Sequence, residues 1–233
     1  MNLKIGIVVL ATGPYIQFVP DLIESVRKYF LVGTAGISPF ILTDAATCLE
    51  GVRCPIEHAK WPGVNMHRYH SVLRYEKQYK GMDFLFNFDA DLIVKQPIGK
   101  EILANLVGLI SPTAWRWPVD KFLYERRPES ASYIPFGQGK HFFNASISGG
   151  LIGPYLDAIG RIAALIDRDE QAGLSCPQCH EEAALNYEFL HYPPALSLTP
   201  DWCWPVGTYS LKRDFIKPIV SMRLKNKTLD TFK

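Results

Sequence analysis

Apolar residues in this chain alternate between short unbroken runs and helix-like spacings. The run Lys4-Ile5-Gly6-Ile7-Val8-Val9-Leu10-Ala11 reads as a buried strand that ends at Thr12-Gly13-Pro14. Pro20 then opens a segment whose apolar positions Leu22, Ile23, Val26, Tyr29 and Phe30 share one helical face, closed by Gly33. Residues 40–44 predict a second strand. Around residues 66–79, Tyr69, Val72, Leu73 and Tyr79 predict a helix that also carries Arg68 and Arg74. Residues 83–88 predict a central strand running into Asp89-Ala90-Asp91. This alternation predicts an α/β fold with a mostly parallel central sheet and helices on both faces. Ligands of such sheets collect beyond the carboxyl ends of the strands, where residues 10–15 and 89–91 both fall.

The second half has a different texture. Ile102, Leu103, Leu106, Val107 and Ile110 have the spacing of a helix over residues 100–110. A loop-rich region follows, with Trp115-Arg116-Trp117 and Tyr124-Glu125-Arg126-Arg127-Pro128. Asn144-Ala145-Ser146-Ile147-Ser148-Gly149-Gly150 predicts a strand whose small side chains let a ligand approach the backbone. A long helix is expected over residues 154–172. Another begins at His180-Glu181-Glu182, with Leu185 and Phe189 spaced for burial. Acids in a first helical turn are also the ordinary response to the helix dipole.

At 233 residues and 48% hydrophobic content, the chain can bury the core of one large domain. Residues 1–91 resemble a nucleotide-binding half domain. A formal charge of +2 is too small to suggest a nucleic-acid partner, although residues 212–233 are locally basic. No apolar run is long enough to predict a transmembrane segment. The first strand could imitate a short signal peptide, but Pro20 and an amphipathic helix follow at once. Five cysteines, an odd count, predict reduced thiols in a cytoplasmic protein rather than a disulfide framework. Cys176-Pro177-Gln178-Cys179 has redox or zinc spacing, yet no second pair completes a four-ligand site. The first strand is followed by neither Gly-x-Gly-x-x-Gly nor a Walker loop, which argues against a dinucleotide enzyme or a P-loop nucleotidase.

The chemistry centres on Asp89 and Asp91. In an extended segment they would leave the backbone on the same side, with only the Ala90 methyl opposite. Two carboxylates this close raise one another's pKa unless a cation neutralises them. Their hard oxygens suit Mn²⁺ or Mg²⁺, and such an ion can hold a diphosphate. The plainer alternative is that one aspartate caps the turn and the other is solvated.

A set of motifs in order resembles glycosyltransferase family 6, the retaining transferases that include the blood-group A and B enzymes and the α-1,3-galactosyltransferases. It comprises Tyr15-x-x-Phe18, Tyr29-Phe30-Leu31-Val32-Gly33, Trp61-x-x-Val64-x-Met66-x-Arg68, Phe88-Asp89-Ala90-Asp91, Tyr124 to Pro128, Gly149-Gly150 and His180-Glu181-Glu182-x-x-Leu185-Asn186. The lack of the family's membrane anchor and stem resembles its compact microbial or viral members. The resemblance implies a GT-A fold, with residues 92–233 as the sugar- and acceptor-binding half, and a UDP-galactose or UDP-N-acetylgalactosamine donor. It also implies an oligosaccharide acceptor and an α-1,3 linkage. By the same resemblance Leu10, Ala11 and Tyr15 hold uridine, and Val64, Asn65 and Arg68 lie beside the donor. Ala90 meets the ribose, while Asp89 and Asp91 hold Mn²⁺ or Mg²⁺. Glu182 is the catalytic carboxylate, and Glu181 and His180 orient the sugar. Lys225 and Lys227 would close over the diphosphate. Asn144, Ala145 and Ser146 line the sugar's C2 substituent, where Ser146 favours galactose. Cys179, Pro205 and Ser111 depart from the family's usual acceptor wall. A non-catalytic UDP- or carbohydrate-binding module and an inverting Asp-x-Asp transferase are the alternatives.

Overall fold

The computed structural model describes residues 3–174, 180–205 and 218–223. Cys176, Cys179, Lys225 and Lys227 lie outside the described residues. The first half is built on four parallel strands, β1 (Leu3–Leu10), β2 (Ala35–Thr43), β3 (Val52–Pro55) and β4 (Phe84–Asp89). Ile5, Ile7, Val8 and Val9 are fully buried, as expected of a β-branched strand covered on both faces. Helix α1 (Val19–Tyr29) has proline in its first turn and buries Leu22, Ile23 and Val26 against the sheet face that carries Phe86 and Phe88. The helical reading of residues 66–79 is realised in pieces: α2 (Gly63–Met66), α3 (Arg68–Arg74) and a 3₁₀ turn, Glu76–Tyr79.

After β4 come a short strand, β5 (Leu92–Val94), and then a departure from expectation. Residues 100–110 are not a helix but a 3₁₀ turn, Lys100–Ile102, followed by strand β6 (Val107–Ile110). Four successive buried residues in β6 show that sheet pairing, not helical periodicity, fixes this run. Strand β7 (Phe143–Leu151), helix α4 (Ile152–Gln171), helix α5 (Glu181–His191) and strand β8 (Leu196–Leu198) complete the main layers.

The seven-stranded sheet has the order β3-β2-β1-β4-β7-β6-β8. Only β7 runs against its neighbours. Helices cover both faces, α1 on one and α3, α4 and α5 on the other, where Tyr69, Tyr155, Ile159, Leu185 and Phe189 are buried together. Two His–carboxylate contacts join α4 to the α2–α3 segment, His67 Nε2 to Glu170 at 3.0 Å and His70 Nε2 to Asp167 at 2.9 Å.

The glycine pair has a protein partner rather than a ligand. A Cβ on Gly149 would lie 2.3 Å from the Phe86 ring, and one on Gly150 would lie 2.3 Å from the Asn105 carbonyl oxygen. Gly150 also adopts φ +147°, a region L residues rarely enter. A small second sheet has the order β5-β10-β9, formed with β9 (Trp204–Pro205) and β10 (Val220–Met222). Among the described residues, no helix is long and apolar enough to cross a membrane.

Candidate active site

β4 leaves the apolar core and ends at Asp89, and Ala90 and Asp91 form the turn into β5. The extended alternation expected to align Asp89 with Asp91 therefore stops at Asp89, and a turn places Asp91 instead. Both carboxylates still act on one neighbour. The buried Cys203 thiol is pushed up by burial first, then by the charges of Asp89, Asp91 and Glu182, against a lowering hydrogen bond with Ser146. Asp91 is buried, whereas the Asp89 side chain is 26% exposed. Leu10 pairs in register with Asp89, and the Ala11 N–H donates to the Leu42 carbonyl at 2.9 Å. Tyr15 follows in a 3₁₀ turn, edge-on to Phe18 at 5.8 Å. Ala90 is buried in the cluster on the α1 face.

Arg68 at the start of α3 ties the two halves of the site together. Its Nη1 donates to Asp89 Oδ1 at 2.8 Å and to the Ala145 carbonyl at 3.1 Å. Its Nε lies 2.8 Å from Glu181 Oε1, although the angle misses that of a hydrogen bond. Burial alone would lower the guanidinium pKa, but the neighbouring charges of Asp89 and Glu181 more than reverse it. Arg68 therefore stays charged between two acids. Glu181 is raised, first by burial and with Arg68 opposing.

Helix α5 begins after His180, a non-glycine residue at φ +45°. Such backbone costs about 1–3 kcal/mol and persists where surrounding structure enforces it. The His180 ring packs edge-on against the half-exposed Trp61 at 4.7 Å. Glu182, one residue into the helix, turns its Oε1 towards β7, where it accepts from Asn144 Nδ2 at 2.9 Å and from the Ala145 N–H at 3.2 Å. Asn144 Oδ1 in turn accepts from the Ser146 N–H at 2.9 Å. Burial, followed by the nearby Glu181, pushes the Glu182 carboxyl up to about 8, against the opposing hydrogen bond from Ala145.

The structure thus brings Arg68, Asp89, Glu181, Glu182, Asn144 and Ala145 into one connected group, with Leu10 and Ser146 beside it. Val64 lines a cavity of about 240 Å³ with Ile56, Glu57, His67, Ser71 and Arg74. Asn65 lies half-buried in α2 beside it. Asn186 is a supporting residue given no role from the sequence. It exchanges hydrogen bonds with the Phe143 backbone and donates to the Glu182 carbonyl at 2.8 Å, fastening α5 to β7. Its place four residues after Glu182 was the available signal. Cys203 carried none. The Tyr124 to Pro128 motif is a loop clasp: Glu125 receives Arg127, while Arg126 donates to the Ile134 and Pro135 carbonyls.

Two carboxylates at a strand end offer the hard oxygen donors that Mn²⁺ or Mg²⁺ prefers, and such ions commonly take their remaining ligands from phosphate and water. That donor set fits the ion, although no group of three or more His, Cys, Asp or Glu converges as a metal site among the described residues.

A mostly parallel sheet, an acidic strand end and a half-buried carboxylate brought near it by a distant helix define an α/β protein of the GT-A type. The chain belongs to glycosyltransferase family 6, whose family model matches residues 1–229. It is similar to the human globoside alpha-1,3-N-acetylgalactosaminyltransferase 1 (27% identity, 88% of this chain, 62% of that protein). It is also similar to the Rattus norvegicus histo-blood group ABO system transferase 2 (27%, 87% and 64%) and to human alpha-1,3-galactosyltransferase 2 (26%, 87% and 63%). The chain spans less than two thirds of the length of each.

Proposed function

We propose that this protein is a retaining glycosyltransferase that moves galactose or N-acetylgalactosamine from a UDP-sugar to a galactose-containing oligosaccharide, forming an α-1,3 linkage. The observation that carries this reading is the placement of Glu182. Two donors from β7 hold its carboxylate, and the carbonyl of one of them, Ala145, accepts from the Arg68 that pairs with Asp89. Asp89 and Asp91 would hold Mn²⁺ or Mg²⁺, which when bound supplies positive charge to the departing diphosphate. Arg68 adds fixed positive charge near the same place, and Leu10, Ala11 and Tyr15 border the uridine end. Glu182 then faces the anomeric carbon, as a covalent nucleophile or as a stabiliser of an oxocarbenium-like state. Ser146 narrows the space at the sugar's C2 substituent, which favours galactose. The free thiols of Cys48, Cys54 and Cys203 support a reducing, cytoplasmic setting.

The test is incubation of the whole chain with UDP-galactose and UDP-N-acetylgalactosamine, with and without Mn²⁺, and with galactose-terminated acceptors. Transfer or donor hydrolysis that needs the metal is the expected result. Absence of both under every condition, with UDP binding intact, would favour a non-catalytic binding module. A β-linked product by NMR would instead identify an inverting enzyme.

A further inference from the structure

Side chains alternate along a strand, so Leu85, Asn87 and Asp89 share one face of β4 while Phe86 and Phe88 occupy the other. Asn87 is 2% exposed, and neither its Nδ2 nor its Oδ1 has a hydrogen-bond partner among the described residues. Its cross-strand neighbour in β7 is Ser148, whose Oγ lies 2.9 Å from the Tyr155 hydroxyl. Directly opposed residues of antiparallel strands project side by side on the same face, so Asn87 stands beside that hydroxyl pair. The hydroxyl of the fully buried Tyr69 likewise has no partner among the described residues. Tyr69 follows Arg68 directly in the chain. Its phenol is raised by burial and by Tyr155, with Arg68, Glu181 and Glu182 also acting on it.

Buried polar atoms without partners are rare in folded proteins, and several together mark a place where something polar belongs. The groups here are neutral and mixed, with amide donors, an amide acceptor and hydroxyls that serve as both. That inventory suits water, which needs two to four such partners, better than an ion. We propose that Asn87, Tyr69, Ser148 and Tyr155 form an internal water-binding site behind the donor cleft that positions the Arg68–Glu181 pair for transfer. These are positioning residues, because they act through Arg68 and Glu181. The kinetic part rests on the transferase reading above, while the site itself does not.

A high-resolution crystal structure of the whole chain should show ordered water within hydrogen-bonding distance of Asn87 and of Tyr69 or the Ser148–Tyr155 pair. Direct hydrogen bonds from Asn87 and Tyr69 to protein groups, with no water between, would overturn the site. Asn87→Leu fills the space with apolar atoms and should lower kcat by about tenfold. Its KM for the UDP-sugar should stay within about twofold and its Tm should not fall. Asn87→Ser keeps a hydroxyl and admits a further water, so it should retain kcat while losing Tm. Activity that simply follows Tm across these variants would reduce the cluster to a structural role and reject the positioning claim. Tyr69→Phe, which removes one oxygen, gives the same reading if Asn87→Leu does not fold. Wild-type protein without any transfer or hydrolysis would sink the transferase reading, and the crystallographic result then decides the water site by itself.

Discussion

Asp89 and Glu182 are both acids at one site, yet their surroundings differ. Asp89 ends a strand, is partly exposed, and faces the Arg68 guanidinium at 2.8 Å. Glu182 is half-buried, is held by an amide and a backbone N–H, and has a second acid next to it in sequence. Low-dielectric burial and the neighbouring Glu181 keep Glu182 protonated to higher pH, whereas Asp89 is paired directly with an arginine. On the transferase reading proposed above, two like groups in such different surroundings take different tasks, one to bind positive charge and the other to meet a reacting carbon.

The sharpest way to break this contrast is to neutralise each acid. Asp91→Asn should abolish metal-dependent turnover, a loss of roughly a thousandfold or more in a Mn²⁺ titration. Glu182→Gln should lower kcat by about a thousandfold while UDP affinity by calorimetry changes little. Unchanged rates in either variant would reject its assigned role. Arg68→Met should be the most damaging to folding, because it leaves buried Glu181 and Asp89 without their cation. Its expected loss is about 3–5 kcal/mol in urea denaturation, and Arg68→Lys should rescue it poorly because an ammonium cannot fork to both acids.

The pH dependence sharpens the contrast further. The folded Glu182 value of about 8 lies above the ordinary 4.5, so between these values the folded state holds the proton that the unfolded state releases. Its stabilising contribution is therefore complete below about 4.5 and disappears as pH rises to about 8. The ligand-free Tm should fall across that window, and Glu182→Gln should flatten the slope. Turnover should rise as pH passes through about 8 and the carboxylate forms. Asn144→Ala, the mildest change, removes one hydrogen bond to the charged form and should move that rise to higher pH by about one unit.

Local patterns made most of this architecture readable. The β-branched run of β1, the one-sided spacing of α1 and the length of α4 each reported a single environment over several residues. Residues 100–110 misled because a 3₁₀ turn and a short strand together imitate helical spacing. Nothing local reveals that β6 is enclosed between β7 and β8. Gly108 hints at it only in the fold, where a Cβ would lie 2.5 Å from the Phe189 ring. The acids of the site were legible as motifs, but the Glu182–Asn144 contact joins residues far apart in the chain and depends on how α5 docks. Asn87 was hidden for the opposite reason: a lone polar residue in an apolar strand looks like noise until its neighbours are known.

The small β5-β10-β9 sheet gives the far end of the chain an unexpected duty. β10 lies between the strand that leaves Asp91 and the strand that follows Cys203, and the Arg223 N–H donates to the Asp91 carbonyl at 2.9 Å. Trimming the protein back to residue 217 would thus unseat a backbone brace from one of the two aspartates, and on the metal-binding reading proposed above the damage would surface as weakened ion affinity rather than as a shorter tail.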